Sequence, residues 1–143
     1  MQIQQLSIFV ENKSGRLAEI TEVLGTAGVD IRAISVADTS DFGILRVIVD
    51  QPEKAVDALR AHNMTVSLTN VIAVCVEDRP GEFSKALRVL ADHYMGVEYM
   101  YAFLSRDKGR AYIILRVDDN EKAVSMLRDA GIQLITAEDI SAM

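Results

Sequence analysis

The chain is poor in several residue types, and each shortage excludes a class of protein. Its 143 residues include one cysteine, Cys75, and no tryptophan. A single thiol excludes an intramolecular disulfide and a pair of thiolates for a metal. Because Cys75 lies in the apolar run VIAVCVED with no histidine nearby in sequence, the pattern favours a small core residue over a nucleophile.

The chain also lacks a basic stripe and a long apolar run. Its formal net charge is −6, and the Lys and Arg residues are scattered among the acids, so we expect no nucleic-acid partner. No apolar run approaches the roughly 20 residues that cross a bilayer, and the N-terminal MQIQQLSIFVEN has no basic segment followed by an apolar stretch. We therefore expect a cytoplasmic protein with no membrane partner.

What the sequence does contain is an internal repeat. LSIFVENKSGRLAEITEVL over 6–24 matches IAVCVEDRPGEFSKALRVL over 72–90 without a gap. Later, ILRVIVDQPEKAVDALRAHNMTV resembles ILRVDDNEKAVSMLRDAGIQL. Two copies thus cover nearly the whole chain, and we place a first domain at 1–68 and a second at 69–143.

Between these two matches the copies are harder to align. AGVDIRAIS over 27–35 is matched to MGVEYMYAF over 95–103, which requires a small insertion around His93 and Tyr94. This alignment makes Asp30 the counterpart of Glu98.

Each copy has the pattern of strand, helix, strand, strand, helix, strand. Apolar and β-branched runs predict the strands, and apolar residues at helical spacing predict the helices. This is the order of the ferredoxin-like βαββαβ unit, so the fold class is α+β, with antiparallel sheets and helices on one face. The predicted strands are 3–10, 31–38, 44–49 and 64–68 in the first copy, and 71–76, 97–105, 111–117 and 132–136 in the second.

The first helix of each copy has recognisable ends. In the first copy Asn12 or Ser14 is expected to cap it, whereas in the second Asp78 caps and Pro80 takes the first helical position. Gly28 and Gly96 are expected to end these helices.

The turns VENKSGRL and VEDRPGEF, together with GVDI and GVEY, make the chain resemble the ACT domain family, twice over and along nearly its whole length. The typical first turn of that family is close to D-R-P-G, then one residue and a Leu. The second copy has this turn as DRPGEF over 78–83, whereas the first copy keeps only Asn12, Gly15 and Leu17 of it. The resemblance implies a regulatory protein with no catalytic residues, no metal and no cofactor.

The resemblance also implies a ligand site. ACT domains commonly bind an amino acid between two copies, using the first turn of one copy and the start of the second strand of the other. Free N–H groups at a helix start stabilise a carboxylate, and acidic or amide side chains accept from an ammonium. The turn of the first copy is thus paired with Glu98 and Tyr99, and the turn of the second with Asp30 and Ile31. The expected ligand-binding residues are Asn12, Ser14, Gly15, Arg16, Leu17, Asp30, Ile31, Asp78, Pro80, Gly81, Glu82, Phe83, Glu98 and Tyr99.

The residue types around these positions favour a hydrophobic or aromatic amino acid. Phe83, Tyr99 and Tyr101 offer apolar walls, and a serine sensor is disfavoured because Val10 and Val76 stand where such relatives place a histidine. Simpler roles stay open: the polar turn residues as helix caps, the glycines as tight turns, and the tyrosines as a packed strand face.

Three functions compete at this point. The first is a regulator that binds a free amino acid, forms a homodimer because each copy leaves one sheet face or edge uncovered, and acts on a metabolic enzyme on another chain. The second is a small ferredoxin-like enzyme of the acylphosphatase type, in which Arg16 and Arg79 would bind an acyl phosphate. The third is a dimerisation module without a ligand.

Overall fold

The computed structural model describes residues 2–11, 13–38, 41–104 and 108–143, and of Asp38 only the backbone. Over these residues it is an α+β protein with antiparallel strands, which confirms the expected fold class. The strands are β1 (Ile3–Glu11), β2 (Ile31–Asp38), β3 (Phe42–Val49), β4 (Val66–Glu77), β5 (Val97–Ala102), β6 (Arg110–Val117) and β7 (Gln133–Leu134), and the helices are α1 (Arg16–Thr26), α2 (Pro52–Ala61), α3 (Glu82–Asp92), α4 (Asn120–Asp129) and α5 (Ala137–Ala142).

The first compact unit covers Gln4–Thr69. In its sheet β3 lies between β2 and β1, and the Phe9 amide donates to the Thr65 carbonyl, 3.1 Å away, where the chain enters β4. Alternate residues of β1 and β3 face α1 and α2, since a strand turns successive side chains to opposite faces. The core between them is apolar throughout and contains Leu6, Ile8, Val10, Ile20, Val23, Leu24, Val29, Leu45, Val47, Val49, Ala55, Val56, Leu59 and Val66.

The second compact unit covers Asn70–Ser141 and repeats this design. Here β4 lies between β7 and β6, and β5 pairs with the other edge of β6. Its core again lies between the sheet and two helices, α3 and α4. The buried members are Ile72, Val74, Val76, Ala86, Leu90, Ile113, Leu115, Val117, Ala123, Val124 and Leu127.

The two copies correspond in a different register from the one expected. The offset that relates Gly15 to Gly81 also relates Gly28 to Tyr94, which has the same left-handed backbone with φ near 60°. No insertion is present at His93 and Tyr94. The two copies therefore keep the same residue offset through this turn, because Gly28 and Tyr94 have the same backbone conformation although their side chains differ.

As a consequence, Asp30 corresponds to Gly96 and not to Glu98. The Asp30 amide donates to the Asp50 carboxylate at 2.9 Å, and the Gly96 amide donates to the Asp118 carboxylate at 3.0 Å in the same way. Gly96 has no left-handed φ and does not end α3, so its expected role was wrong. Tyr94 takes the left-handed position after this helix, as Gly28 does after α1.

The C-terminal end also differs from the prediction. The strand expected over 132–136 is only β7, Gln133–Leu134, and a further helix, α5, follows it. Thr136 caps α5 because its hydroxyl accepts from the Asp139 amide at 3.0 Å, while the Asp139 carboxylate accepts from the Thr136 amide at 2.9 Å. The strand expected over 97–105 is also shorter, since β5 ends at Ala102; its last expected residue, 105, lies outside the described part of the chain.

Candidate functional site

Both first helices begin at a glycine in the left-handed conformation. Gly15 precedes α1 with φ +87°, and Gly81 precedes α3 with φ +88°. Side chains other than glycine rarely adopt this conformation, so the shared glycine is required by the backbone. A Cβ atom at either glycine would have nothing within 4 Å, so space does not limit the residue there.

The helix-opening amides lack partners among the described residues. No side chain among the described residues caps α1 or α3, and the amides of Leu17 and Ala18 have no acceptor there either. The same holds for the amides of Phe83 and Ser84. Free amides at a helix start are an anion-binding arrangement, because the helix dipole is positive there.

The expected caps are therefore wrong for the residues that can be checked. Ser14 is exposed and does not cap α1, and Asp78 uses its amide to bond the Gly109 carbonyl at 3.0 Å without capping α3. Pro80 lies in the turn before Gly81, outside the helix. The reason is that the glycine itself occupies the N-cap position. Asn12 lies outside the described residues.

Charged side chains surround each turn and pair with one another. Arg16 pairs with Glu19 at 3.1 Å and with Glu11 at 3.7 Å. In the second unit Arg79 pairs with Glu77 and, at 3.3 Å, with Glu82. Both arginines are thus engaged with carboxylates, which weakens the case that they bind an acyl phosphate.

Glu82 and Glu11 each have two cationic partners at these turns. Lys85 donates to Glu82 at 2.9 Å, and this hydrogen bond is the main reason that the pKa of Glu82 lies below its usual 4.5, with Arg79 adding to the effect. Glu11 has its pKa lowered in the same way, first by Lys13 and then by Arg16. The Glu82 side chain is 15% exposed, but its partners Arg79 and Lys85 are 64% and 65% exposed, so water screens these pairs and their contribution to stability is small.

The pKa of Glu82 can be tested directly. A depressed carboxyl pKa stabilises the fold above pH 4.5, and this contribution is lost as the pH falls through the lower, folded value. We expect an NMR titration of the side-chain carboxyl to give a pKa below 4.5, and Lys85→Met to move it up towards 4.5. Lys108→Met, which removes a lysine that is not paired with Glu82, is the control and should leave it unchanged. A Glu82 pKa that ignores Lys85→Met would contradict the geometry.

The start of β2 holds the next group of expected site residues. The Asp30 carboxylate pairs with Arg32, whose side chain is only 7% exposed. Ile31 is partly buried and packs against the core of its own unit. Arg32 is an extra residue in β2, because Ile31 pairs with Val49 and Ala33 pairs with Ile48. Such a bulge turns the following side chains to the other face.

The start of β5 has the same bulge at the equivalent place. Val97 pairs with Val117 and Tyr99 with Arg116, which leaves Glu98 as the extra residue. The Glu98 carboxylate lies 3.5 Å from the Arg116 guanidinium, and the Tyr99 ring stacks on Tyr101 with centroids 6.4 Å apart. The expected residues Glu98 and Tyr99 therefore correspond to Arg32 and Ala33, and not to Asp30 and Ile31.

The structure separates the turn from the second strand within each unit. The 11 residues of α1 lie between Gly15 and the start of β2, which makes a distance of about 16 Å at 1.5 Å per residue. One amino acid cannot reach both ends. Ser14, Gly15, Arg16 and Leu17 are brought together, as are the residues over 78–83, whereas Asp30 and Ile31 lie away from the turn of their own unit.

The first unit contains a groove that was not predicted from the sequence. It has a volume of about 250 Å³ and lies beside the turn that precedes α1. The side chains of Phe9 and Phe42 are 52% and 56% exposed at its wall. The sequence signal was the aromatic residue at each position, where the second copy has Cys75 and Arg110. The lining residues are Phe9, Val10, Glu11, Arg16, Ile20, Phe42, Asn63, Met64 and Thr65.

The equivalent place in the second unit contains a hydrogen-bonded cluster. Arg110 donates to the Gln133 side-chain oxygen at 2.8 Å and contacts the Cys75 sulfur at 3.3 Å. These three residues correspond to Phe42, Thr65 and Phe9 by the pairing of the strands. The Cys75 thiol is the main cause of the raised pKa of Arg110, which is charged at any physiological pH.

The described residues contain neither a candidate metal site nor a helix that could cross a membrane. No group of three or more His, Cys, Asp or Glu side chains there is arranged to hold a metal ion. Among the helices described, none is both long and apolar enough to cross a membrane.

Comparison with known proteins identifies the family. The sequence profile of the ACT domain pair matches residues 1–143, so the chain belongs to the ACT domain pair family. The crystal structure of protein BT0572 from Bacteroides thetaiotaomicron is 36% identical, with a TM-score of 0.93, over 100% of this chain and 98% of that one. No curated protein sequence matches this chain.

More distant structures share the fold. The ligand-free regulatory subunit of aspartate kinase from Thermus thermophilus is 15% identical with a TM-score of 0.63, over 89% of this chain and 91% of that one. The regulatory subunit from Thermus flavus is 15% identical with a TM-score of 0.60, over 90% and 92%. At this identity the likeness concerns the fold alone.

Proposed function

We propose that the chain is a non-catalytic regulatory protein that binds a free amino acid with a hydrophobic or aromatic side chain. The observation that carries this proposal is the pair of helix starts at Gly15 and Gly81, where two amides in each unit have no partner among the described residues. A carboxylate of the ligand would be held at such amides by hydrogen bonds and by the helix dipole.

The ammonium of the ligand needs a carboxylate from elsewhere. Asp30 and Glu98 are the candidates, and each must serve a turn of another ACT-type unit because the turn of its own unit is too far away. Asp30 would have to share its carboxylate with Arg32. Glu98 is exposed, and its carboxylate lies 3.5 Å from the Arg116 guanidinium, so it is less closely paired than the Asp30 carboxylate.

The proposal includes assembly and a partner. We propose that the chain forms a homodimer, which acts on a metabolic enzyme on another chain in response to its ligand. The regulatory subunits of aspartate kinase share this fold and support such a partner. Ligand binding can control assembly only if it stabilises one arrangement more than another. Light scattering with and without ligand measures the mass of the assembly.

A thermal-shift panel of the twenty amino acids tests the proposal. We expect a hydrophobic or aromatic member to raise Tm, because a ligand at 100 times its Kd stabilises the bound protein by about 2.7 kcal/mol. Gly15→Asp and Gly81→Asp each place a negative charge beside the amides of one turn, and the variant at a turn that holds the ligand should reduce the shift. No shift with any amino acid at millimolar concentration would refute the proposal.

Gly131→Asp is the matched control for these variants. Gly131 also has a positive φ, +79°, and a Cβ there also has open space, but it follows α4 and does not precede a helix with free amides. It carries the same backbone strain and the same added charge. We expect it to lower Tm as much as the other two while leaving the ligand shift intact.

A further inference from the structure

We infer that the two units are not equivalent, and that the groove of the first unit receives the apolar side chain of the ligand while the second unit is closed to it. The groove lies beside the turn that the proposed function assigns to the ligand carboxylate, and the inference rests on that function. It adds which unit binds, what part of the ligand enters, and how many ligands a chain holds.

The walls of the groove favour an apolar group. Phe9, Phe42 and Met64 line it, and Ile20 from the first turns of α1 contributes to its wall. The two phenylalanine rings are about half exposed, so covering them removes apolar surface from water. A volume of about 250 Å³ is at the small end for ligand sites, which suits one side chain and not a drug-sized molecule.

The charges beside the groove do not favour a charged side chain. Glu11 and Arg16 both line it, but Glu11 is paired with Lys13 at 3.0 Å and Arg16 with Glu19 at 3.1 Å. An acidic or basic ligand side chain would have to displace these pairs. Arg16 is also the first residue of α1, directly before the free Leu17 amide, so the groove and the carboxylate site adjoin.

The second unit has a polar cluster where the first has the groove. Arg110 replaces Phe42 and is held by Gln133 and Cys75 at the positions of Thr65 and Phe9. Arg110 and Gln133 are both exposed, so the second unit presents a charged and polar surface at this place and offers no apolar wall to the side chain of a ligand. One ligand per chain is expected to follow.

The preference among amino acids should be large. Burying a Leu or Phe side chain increases the affinity roughly tenfold to a hundredfold over a ligand that buries no apolar side chain. Leucine, phenylalanine and methionine should therefore bind roughly tenfold to a hundredfold more tightly than serine, glycine or aspartate. Calorimetry should give a stoichiometry of one per chain.

The test converts the first unit into the second. Phe42→Arg introduces the residue of the second unit, and it should weaken binding of the apolar amino acid at least tenfold by calorimetry. Phe42 is half exposed, so the variant should fold, which circular dichroism checks. Phe42→Leu keeps an apolar wall and should stay within about threefold of the original. Arg110→Ala, in the other unit, should leave the affinity unchanged.

A methyl NMR experiment places the ligand independently of affinity. With methionine methyl groups labelled by ¹³C, the apolar amino acid should shift the Met64 resonance, assigned through Met64→Leu, and leave Met126 of the second unit in place. In Phe42→Arg the Met64 shift should disappear.

Failure of the inference can be distinguished from failure of the proposed function. If an amino acid stabilises the unaltered protein but Met64 does not move and Phe42→Arg binds normally, the groove assignment is overturned and the function stands. A stoichiometry of two, or weaker binding in Arg110→Ala, also overturns it. If no amino acid changes Tm or any resonance of the unaltered protein, the proposed function itself fails and the inference fails with it.

Discussion

Leu24→Ala is expected to lower the free energy of unfolding by about 2–5 kcal/mol. The Leu24 side chain is fully buried in α1 against the sheet of the first unit. Truncation removes buried apolar surface and leaves a cavity that the tightly packed surroundings fill only in part. Urea denaturation followed by circular dichroism measures the change.

Leu90 offers a matched test in the second unit. It occupies the equivalent position in α3, is also fully buried, and belongs to a separate core. We expect Leu90→Ala to lose a similar amount, whereas Glu22→Ala, on the exposed side of α1, should change stability by less than about 0.5 kcal/mol. Losses below 1 kcal/mol for both leucines would contradict the packing of these cores.

Asp30→Asn is expected to destabilise the fold by about 1–2 kcal/mol and to weaken ligand binding as well. The substitution removes the charge that pairs with the nearly buried Arg32 guanidinium. Leaving a buried charged group short of a partner costs about 1–3 kcal/mol, and the partial exposure of Asp30 puts this case at the lower end. Denaturation and calorimetry give the two effects separately.

A double variant separates the structural role of Asp30 from a ligand role. Removing both partners of a pair often costs little, so Asp30→Asn with Arg32→Met should recover part of the lost stability. If Asp30 accepts a hydrogen bond from the ligand ammonium, binding stays weak in this double variant. If binding recovers together with stability, Asp30 acts only through the fold.

The repeat explains how much of the fold could be predicted. Alternating apolar residues and two matching glycine turns predict most of the element order, and the ends of β2 agree with the expected ones. The strands expected over 64–68 and 71–76 are instead one continuous strand, β4, and α5 was not expected. The elements that agree could be predicted because the physics of folding requires particular residue types at their positions. Burial imposes the periodicity of strands and helices, and the left-handed turn imposes a glycine at Gly15 and at Gly81.

The errors arise where the backbone tolerates different residues. Gly28 and Tyr94 share one left-handed conformation, although a tyrosine there costs about 1–2 kcal/mol, so residue identity pointed to a false insertion. That error shifted the alignment of the two copies by two residues and matched Asp30 to Glu98 instead of Gly96. The capping motif of Thr136 and Asp139 was visible in the sequence, but the apolar run before it favoured a longer strand.

The groove could not have been predicted from either copy alone. Phe9 and Phe42 lie far apart in sequence and come together only because β1 pairs with β3, with Glu11 opposite Phe42. An exposed aromatic residue in a strand is ordinary, and only its replacement by Cys75 and Arg110 in the other unit shows a difference in chemistry.

The bulges at Arg32 and Glu98 have a consequence for solubility. β2 and β5 each end a run of paired strands, and a regular outer strand presents free backbone groups that recruit other chains into aggregates. An extra charged residue in each interrupts this regular row near the start of the strand. The same two residues that shift the strand register thus help to keep the protein from polymerising through its sheet edges.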